Sequence, residues 1–319
     1  MRDLLMLLAD GKFYSGSHLG LELGVSRAAV WKRIQRVTEE FGVSIQSVPG
    51  KGYRLAQPLQ LLRYDAIKDV FPSLPIYTYE SIGSTNEQAK QLLLDQGAPL
   101  VVIAEHQTSG KGRRGREWVS PFAQNLYLTY VWPVAGGLSQ IDGLSLVVGL
   151  AVSSAIKRVT GIVAPLKWPN DVLIDDKKVA GILLELVGDP ADLCHVVIGV
   201  GVNLNMMGVF DGIDQEWTSL QDASRAVIDR TLFAQALLEE LDSYLQKQSL
   251  YGFAPLRAQW ISLHAWQGRK GVLQMGSNAV EGEIVGVGDK GELCLLVDGE
   301  EHKFIGGELS LRLKHAAGN

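Results

Sequence analysis

Twelve residues, Gln107 to Trp118, gather three glycines (Gly110, Gly112, Gly115) and four cations (Lys111, Arg113, Arg114, Arg116), with no acid before Glu117. Like charges this close on a flexible loop repel one another unless a multiply charged anion sits among them. Glycines let backbone amides approach phosphate oxygens, and arginines grip such oxygens with two parallel hydrogen bonds. A nucleotide triphosphate fits, with Trp118 placed to cover a ring or an apolar ligand once the loop closes. The spacing formally satisfies G-x-G-x-x-G. A dinucleotide turn opens a helix, however, and Trp118-Val119-Ser120-Pro121 does not continue one; nor does G-K-[ST] close the loop as a P-loop requires. Composition leaves two alternatives, a basic surface loop and a nucleic-acid patch.

A second cluster, Lys167-Trp168-Pro169-Asn170-Asp171, ends a predicted strand. Pro169 forces a turn that Asn170 or Asp171 tolerates. Lys167 alternates with Leu166 and is directed toward the covered face of a sheet, where an ammonium needs a negative partner; a salt bridge would satisfy it. Ala180-Gly181-Ile182-Leu183 and Gly199-Val200-Gly201-Val202-Asn203 set glycines inside strands, which permits close approach of a ligand or marks bulges.

These segments lie in a chain of 319 residues, long enough for two or three domains. With 46% apolar and 20% charged residues the composition is that of a globular protein. No 18-residue window is free of charge, so the apolar run Leu144 to Ile156 reads as a buried helix rather than a membrane span. Met1-Arg2-Asp3 does not begin a signal peptide. Cys194 and Cys294 fit no metal or redox spacing, which suggests a reducing cytoplasm.

Charge is uneven. Residues 1–60 hold eight Lys or Arg against five Asp or Glu, a net +3, and the remainder is −8. Leu4, Leu5, Leu7 and Leu8 have helical spacing. Ser15 or Ser17 caps a second helix that Gly24 closes; Ser26 caps a third, on which Val30, Ile34 and Val37 form one buried stripe. Two runs around Pro49-Gly50-Lys51-Gly52 read as a hairpin. A short turn between short helices, cations on the second and a basic hairpin together predict a winged helix-turn-helix that binds DNA. Ser26, Arg27, Lys32, Arg33 and Lys51 are the contact candidates; the alternative is a three-helix protein-interaction module. A linker is expected near 56–64.

Beyond it, Ile76 to Ile82 and Leu100 to Ala104 read as strands, and Ser84-Thr85-Asn86-Glu87 as a capping box opening a helix that ends near Gly97. Leu126 to Val131, Val163 to Lys167, Val172 to Ile174, Val179 to Val187 and His195 to Val202 are further strands, with a hairpin turn at Asp175-Asp176-Lys177-Lys178. Leu144 to Arg158 and Leu232 to Leu245 are helices. Consecutive strands without intervening helices predict a mixed or antiparallel sheet. After Gly268, five short strands separated by turns predict a small β-barrel of SH3-like size.

Taken together, the Ser84-Thr85-Asn86 turn, the glycine-arginine loop, Lys167-Trp168-Pro169-Asn170-Asp171, Gly199 to Asn203 and Gly306-Gly307-Glu308 resemble the bifunctional biotin–protein ligases, the family that includes the biotin operon repressor. The resemblance implies a multidomain α+β chain. Residues 1–60 are the winged helix-turn-helix, 65–267 a central mixed-sheet α/β domain like that of class II synthetases and lipoate/biotin ligases, and 268–319 an SH3-like barrel. It implies that biotin carboxylate attacks MgATP to give biotinyl-5′-AMP, and that the acyl group passes to a lysine of the biotin carrier domain of acetyl-CoA carboxylase. Lys167, Arg113 and Arg116 become the catalytic candidates. Ser84, Thr85, Asn86, Gln107, Lys111, Gly112, Arg113, Trp118 and Lys167 are assigned to biotin, and Arg113, Arg116, Asn170, Asn203 and Trp217 to the nucleotide, with Met206 to Trp217 as an adenylate-ordering loop. Asp171 is the candidate for the base of the second step. Lys111 departs from the family, which has arginine there. The resemblance further implies operator DNA as a partner, a homodimer when adenylate is bound, a cytoplasmic location and no membrane. A ligand-sensing transcription factor, a lipoate-type acyl-AMP ligase and a non-catalytic carrier-protein binder are the alternatives.

Overall fold

The leucines of the first ten residues need a partner surface, and three helices provide it. In the computed structural model, which describes residues 1–134, 137–188, 194–306 and 309–314, α1 (Arg2–Leu8), α2 (Gly16–Glu22) and α3 (Arg27–Phe41) pack through Leu4, Leu5, Leu8, Leu19, Val30, Ile34, Val37 and Phe41. Ser15 Oγ accepts from the His18 amide at 3.1 Å and Ser26 Oγ from the Ala29 amide at 3.2 Å, each satisfying an otherwise unpaired helix donor. Gly24 sits at φ +63° in the turn between α2 and α3. The wing is the antiparallel pair β1 (Ile45–Val48) and β2 (Gly52–Leu55). This core does not close on itself: Phe122 and Ala123, distant in sequence, complete it.

The predicted linker is short and partly buried. Leu62 is fully buried, its amide donating to Glu105 Oε1 at 2.7 Å, and a helix the sequence reading missed, α4 (Tyr64–Val70), follows directly. The body then runs through β3 (Ile76–Tyr79), α5 (Thr85–Gln96), β4 (Leu100–Ala104), β5 (Leu126–Val134), α6 (Leu144–Thr160), β6 (Leu166–Lys167), β7 (Asp171–Ile174), β8 (Lys177–Gly188), β9 (Cys194–Val202), α7 (Leu220–Ser224), α8 (Arg230–Tyr251) and α9 (Arg257–Ser262). The seven strands form one mixed sheet in the order β3-β4-β5-β9-β8-β7-β6; β3 and β4 are parallel and the other neighbours antiparallel. Helix α5 covers one face through Ala89 and Leu93, while α6 and α8 cover the other, which is why Leu126 to Val131 is buried on both sides rather than on alternate residues. The strand expected over Val163 to Lys167 shrinks to β6. The hairpin turn is confined to Asp175 and Asp176, both at positive φ, so that Lys177 and Lys178 belong to β8.

A buried ion pair fastens α8 beneath the sheet: Arg230 Nη1 lies 2.6 Å from Glu105 Oε2, and the guanidinium also donates to the carbonyls of Gln60 and Asn125. Arg2 of α1 reaches the same place, 2.6 Å from Glu80 and 3.6 Å from Glu105.

Five antiparallel strands end the chain: β10 (Lys270–Met275), β11 (Asn278–Val287), β12 (Leu293–Val297), β13 (Glu300–Phe304) and β14 (Leu309–Leu313), ordered β13-β12-β11-β10-β14. Their core joins that of the body, and Trp168 Nε1 donates to the Gly291 carbonyl at 3.1 Å. Gly307 and Glu308 of the expected tail motif lie outside the described residues. Among the described residues no helix is long and apolar enough to cross a membrane.

Candidate functional site

One cleft collects most of the residues singled out above. Its floor begins at the start of α5, where Ser84, Thr85 and Asn86 are all buried. The expected capping box does not form: Ser84 makes no side-chain cap, and Glu87 turns instead toward Lys90 (2.7 Å) and Lys111. Gln107 takes over as acceptor, its Oε1 receiving the Thr85 amide at 2.9 Å and the Thr85 hydroxyl at 3.0 Å. Gln107 Nε2 donates to Ser120 Oγ at 3.0 Å, and Ser120 donates to the Trp118 carbonyl at 2.8 Å. Asn86 Oδ1 accepts from Thr129 Oγ1 at 2.6 Å, and Asn86 Nδ2 donates to Glu185 Oε2 at 2.7 Å. Polar groups tied in this way hold a fixed pattern of donors and acceptors toward a ligand.

The wall above is β8 and β9, where Gly181 and Gly201 face each other in register. The Trp118 indole lies directly on them: a Cβ at Gly201 would stand 2.4 Å from the ring, and one at Gly181 2.9 Å. Gly199 likewise makes room for Asn86. The cleft so covered encloses about 180 Å³, below the roughly 300–1,000 Å³ of a ligand site. The indole takes up part of the space between the facing glycines and the polar floor. Its Nε1 is buried without a hydrogen-bond partner among the described residues, a donor left over for an incoming acceptor.

The glycine-arginine loop is folded onto the cleft. Lys111 and Glu117 bridge its two sides, and the Gly112 amide donates to the Arg116 carbonyl at 2.7 Å. Arg113 is half-buried; its guanidinium donates to Asn170 Oδ1 at 2.8 Å and to the Leu309 carbonyl of β14 at 3.3 Å. Burial draws its proton affinity down, against the pull of Asp171, with Arg116 and Arg114 adding repulsion. Arg116 is exposed at the cleft mouth. Asn170 and Asn203 line the cleft, but their amides already serve backbone, Asn170 on the Ile182 carbonyl and Asn203 on that of Thr218. Trp217 closes the far side, edge-on to Phe210.

Lys167 is the main correction. It does not line the cleft. Its two-residue strand pairs it with Asp171, whose Oδ2 is 3.2 Å from Nζ, and its ammonium rests over the Trp266 ring at 4.9 Å. The lysine on the cleft wall is Lys178, 2.7 Å from Asp171 Oδ1 and 5.3 Å from the Trp118 ring. Strand alternation alone would set Lys178 on the face of buried Ala180 and Ile182; the register shift between β7 and β8 brings it beside Gly181 instead, so no sequence signal marks it. Burial alone would raise the Asp171 carboxyl, but Lys178 and Lys167 together hold it below the ordinary range. A carboxylate gripped by two ammonium groups is a poor proton acceptor, and Asp171 ties Lys178 and Lys167 to one another.

In the first module, Arg27 and Lys32 of α3 are exposed, Arg33 is half-buried and Ser26 is committed to its cap. On the wing, Lys51 and Arg54 both lie over the Phe13 ring, at 5.8 and 4.7 Å.

Comparison with known proteins agrees with this geometry. Residues 79–203 match the model of the biotin/lipoate A/B protein ligase family, and residues 1–54 match an HTH domain model. The chain is 40% identical over 314 residues to the bifunctional ligase/repressor BirA of Salmonella typhimurium, covering 97% of this chain and 96% of that protein. It is 32% identical over 305 residues to BirA of Bacillus spizizenii, covering 92% and 93%. A solved biotin protein ligase from Aquifex aeolicus, in complex with biotin and ATP, superposes with a TM-score of 0.66 at 28% identity, covering 75% of this chain and 99% of that one.

Proposed function

The chain belongs to the family of bifunctional biotin ligase/repressors, and from that premise we propose how its residues divide the work. The protein is a biotin–protein ligase that makes biotinyl-5′-AMP from biotin and ATP and passes the biotinyl group to a lysine of the biotin carrier domain of acetyl-CoA carboxylase. It is also a biotin-adenylate-responsive repressor of biotin synthesis genes. The observation that carries the site assignment is the Trp118 indole seated on the facing glycines 181 and 201, at the junction of the polar floor and the cationic loop.

Biotin is read as lying where Trp118 now rests, its polar ring groups toward Ser84, Thr85, Asn86 and Gln107 and its carboxylate toward Gly112, Arg113 and Lys178. A carboxylate is ionised at neutral pH, so the first step needs no general base. It needs two anions held together while charge builds on phosphorus. A carboxylate oxygen bonds to the α-phosphorus as the bond to pyrophosphate breaks. Lys178, Arg113 and Arg116 neutralise the oxygens, Trp118 excludes water, and Asn170, Asn203 and Trp217 frame the nucleotide. In the second step the carrier lysine, as the free amine, attacks the acyl carbon, AMP leaves with the bonding pair, and the amine proton passes to the departing phosphate or to water. Among the described residues no group of three His, Cys, Asp or Glu gathers as a metal cage; magnesium is accordingly read as arriving with the triphosphate that ligates it.

The finer reading assigns residues 1–60 to the DNA-binding domain, 65–267 to catalysis and 268–319 to an SH3-like barrel that bears on the loop through Leu309. It adds a cytoplasmic location and a homodimer in the adenylate-bound form. Incubation with biotin, MgATP and a biotin carrier domain, followed by an avidin blot, tests the ligase; an unlabelled carrier domain overturns it.

A further inference from the structure

Trp31 holds an expensive position. It lies on α3 with 52% of its surface exposed, while Val30, Ile34, Val37 and Phe41 of the same helix are buried. The Arg27 stem and the Tyr53 ring both flank Gly16, within 3.2 and 3.3 Å of where a Cβ would stand, which pins the start of α3 between α2 and the wing. Arg36 pairs with Glu40 at 3.4 Å. Exposed on the first turns are Arg27, Ala28, Trp31, Lys32 and Gln35. Trp31 and Gln35 are four residues apart and therefore neighbours on the helix surface. Both lie in the first nine residues of α3, the part of a helix-turn-helix recognition helix that meets base edges in the major groove.

Their chemistry names the base pair. The apolar handle on that groove's floor is the thymine 5-methyl group, and a glutamine amide matches the N6 donor and N7 acceptor of adenine. We infer that Trp31 and Gln35 are the base-reading pair of α3 and select an A·T pair, Trp31 against the thymine methyl and Gln35 against adenine, with Lys32 on phosphate. The inference rests on the reading of this module as DNA-binding and deepens it.

The test is selection of bound duplexes from a random pool by the full-length protein with biotin and MgATP present, followed by sequencing. The wild type is expected to yield a column fixed as T·A, with competitors bound about 5- to 150-fold more weakly. Trp31→Ala and Gln35→Ala are each expected to weaken that same column while the others persist. Wild type offered a pool in which deoxyuridine replaces thymidine is expected to show the same weakening at that column as Trp31→Ala, a measurement that does not depend on any variant folding. Profiles unchanged by Trp31→Ala or by loss of the methyl group overturn the inference and leave DNA binding standing. No enrichment by the wild type overturns both.

Discussion

Phe41, the last residue of α3, stacks on Phe122, four residues beyond Trp118, with ring centroids 4.2 Å apart and planes 18° apart. His106, next to Gln107 on the cleft floor, meets Phe41 edge-on at 6.4 Å. The end of α3 and the segment that follows Trp118 thus share one apolar core. Arg2 supplies a second tie to the body through Glu80 and Glu105.

Truncating Phe122 removes a buried ring from the first module and slackens the segment that leads from the lid into β5. Phe122→Ala is expected to cost that module about 3–5 kcal/mol and to speed release of preformed biotinyl-5′-AMP. Denaturant unfolding and a chase with unlabelled biotin measure the two. Release at the wild-type rate would show that the stacking is structural only.

Local chemistry explains what could be read early. Ser15 and Ser26 cap helices because their hydroxyls meet neighbouring amides, and β4, β8 and β9 form where apolar β-branched residues run between turn residues. Pairing decides the rest. Whether Lys167 or Lys178 faces the cleft depends on the register of β7 against β8, which slips between Val172 and Leu173. Glu87 leaves its expected cap because two lysines, one of them 24 residues away, compete for it. Phe122 is an ordinary loop aromatic until α3 comes to lie against it.

The two lysines on Asp171 make unequal predictions. Lys178 borders the cleft, and its removal withdraws charge from the transition state; Lys178→Ala is expected to lower biotin-dependent pyrophosphate–ATP exchange by about 100- to 1,000-fold. Lys167 acts through Asp171, so Lys167→Ala is expected to cost less than about tenfold, a loss of orientation only. Equal losses would return Lys167 to the catalytic set.

Gly201 has a steric task. Any side chain there meets the Trp118 ring inside contact distance. Gly201→Ala is expected to crowd the place over the strand that biotin is read as taking and to raise the KM for biotin about tenfold or more with little change in melting temperature, since the strand conformation suits alanine. Titration of biotin in the exchange reaction measures it; an unchanged KM would mean that the ligand does not take the place over this strand that the indole now fills.

His264 is expected to make the stability of the fold depend on pH. It follows α9 beside Leu166, its ring 4.7 Å from that of Trp260, with Nδ1 near Gln267 and Nε2 buried without a partner among the described residues. Burial pushes its pKa down to about 4, with Gln267 opposing weakly. Unfolded, the ring titrates near 6.5. Below that value the unfolded chain takes a proton that the folded one refuses, so stability present above pH 6.5 drains away as pH falls and levels off below about 4. By pH 5 the loss from this residue is about 2 kcal/mol. His264→Phe keeps a ring of similar shape with nothing to protonate. Between pH 7.5 and 5 its unfolding free energy, read from urea titration, is expected to fall by about 2 kcal/mol less than that of the wild type. Parallel declines in the two proteins would show that His264 takes up its proton in the folded state as readily as in the unfolded one.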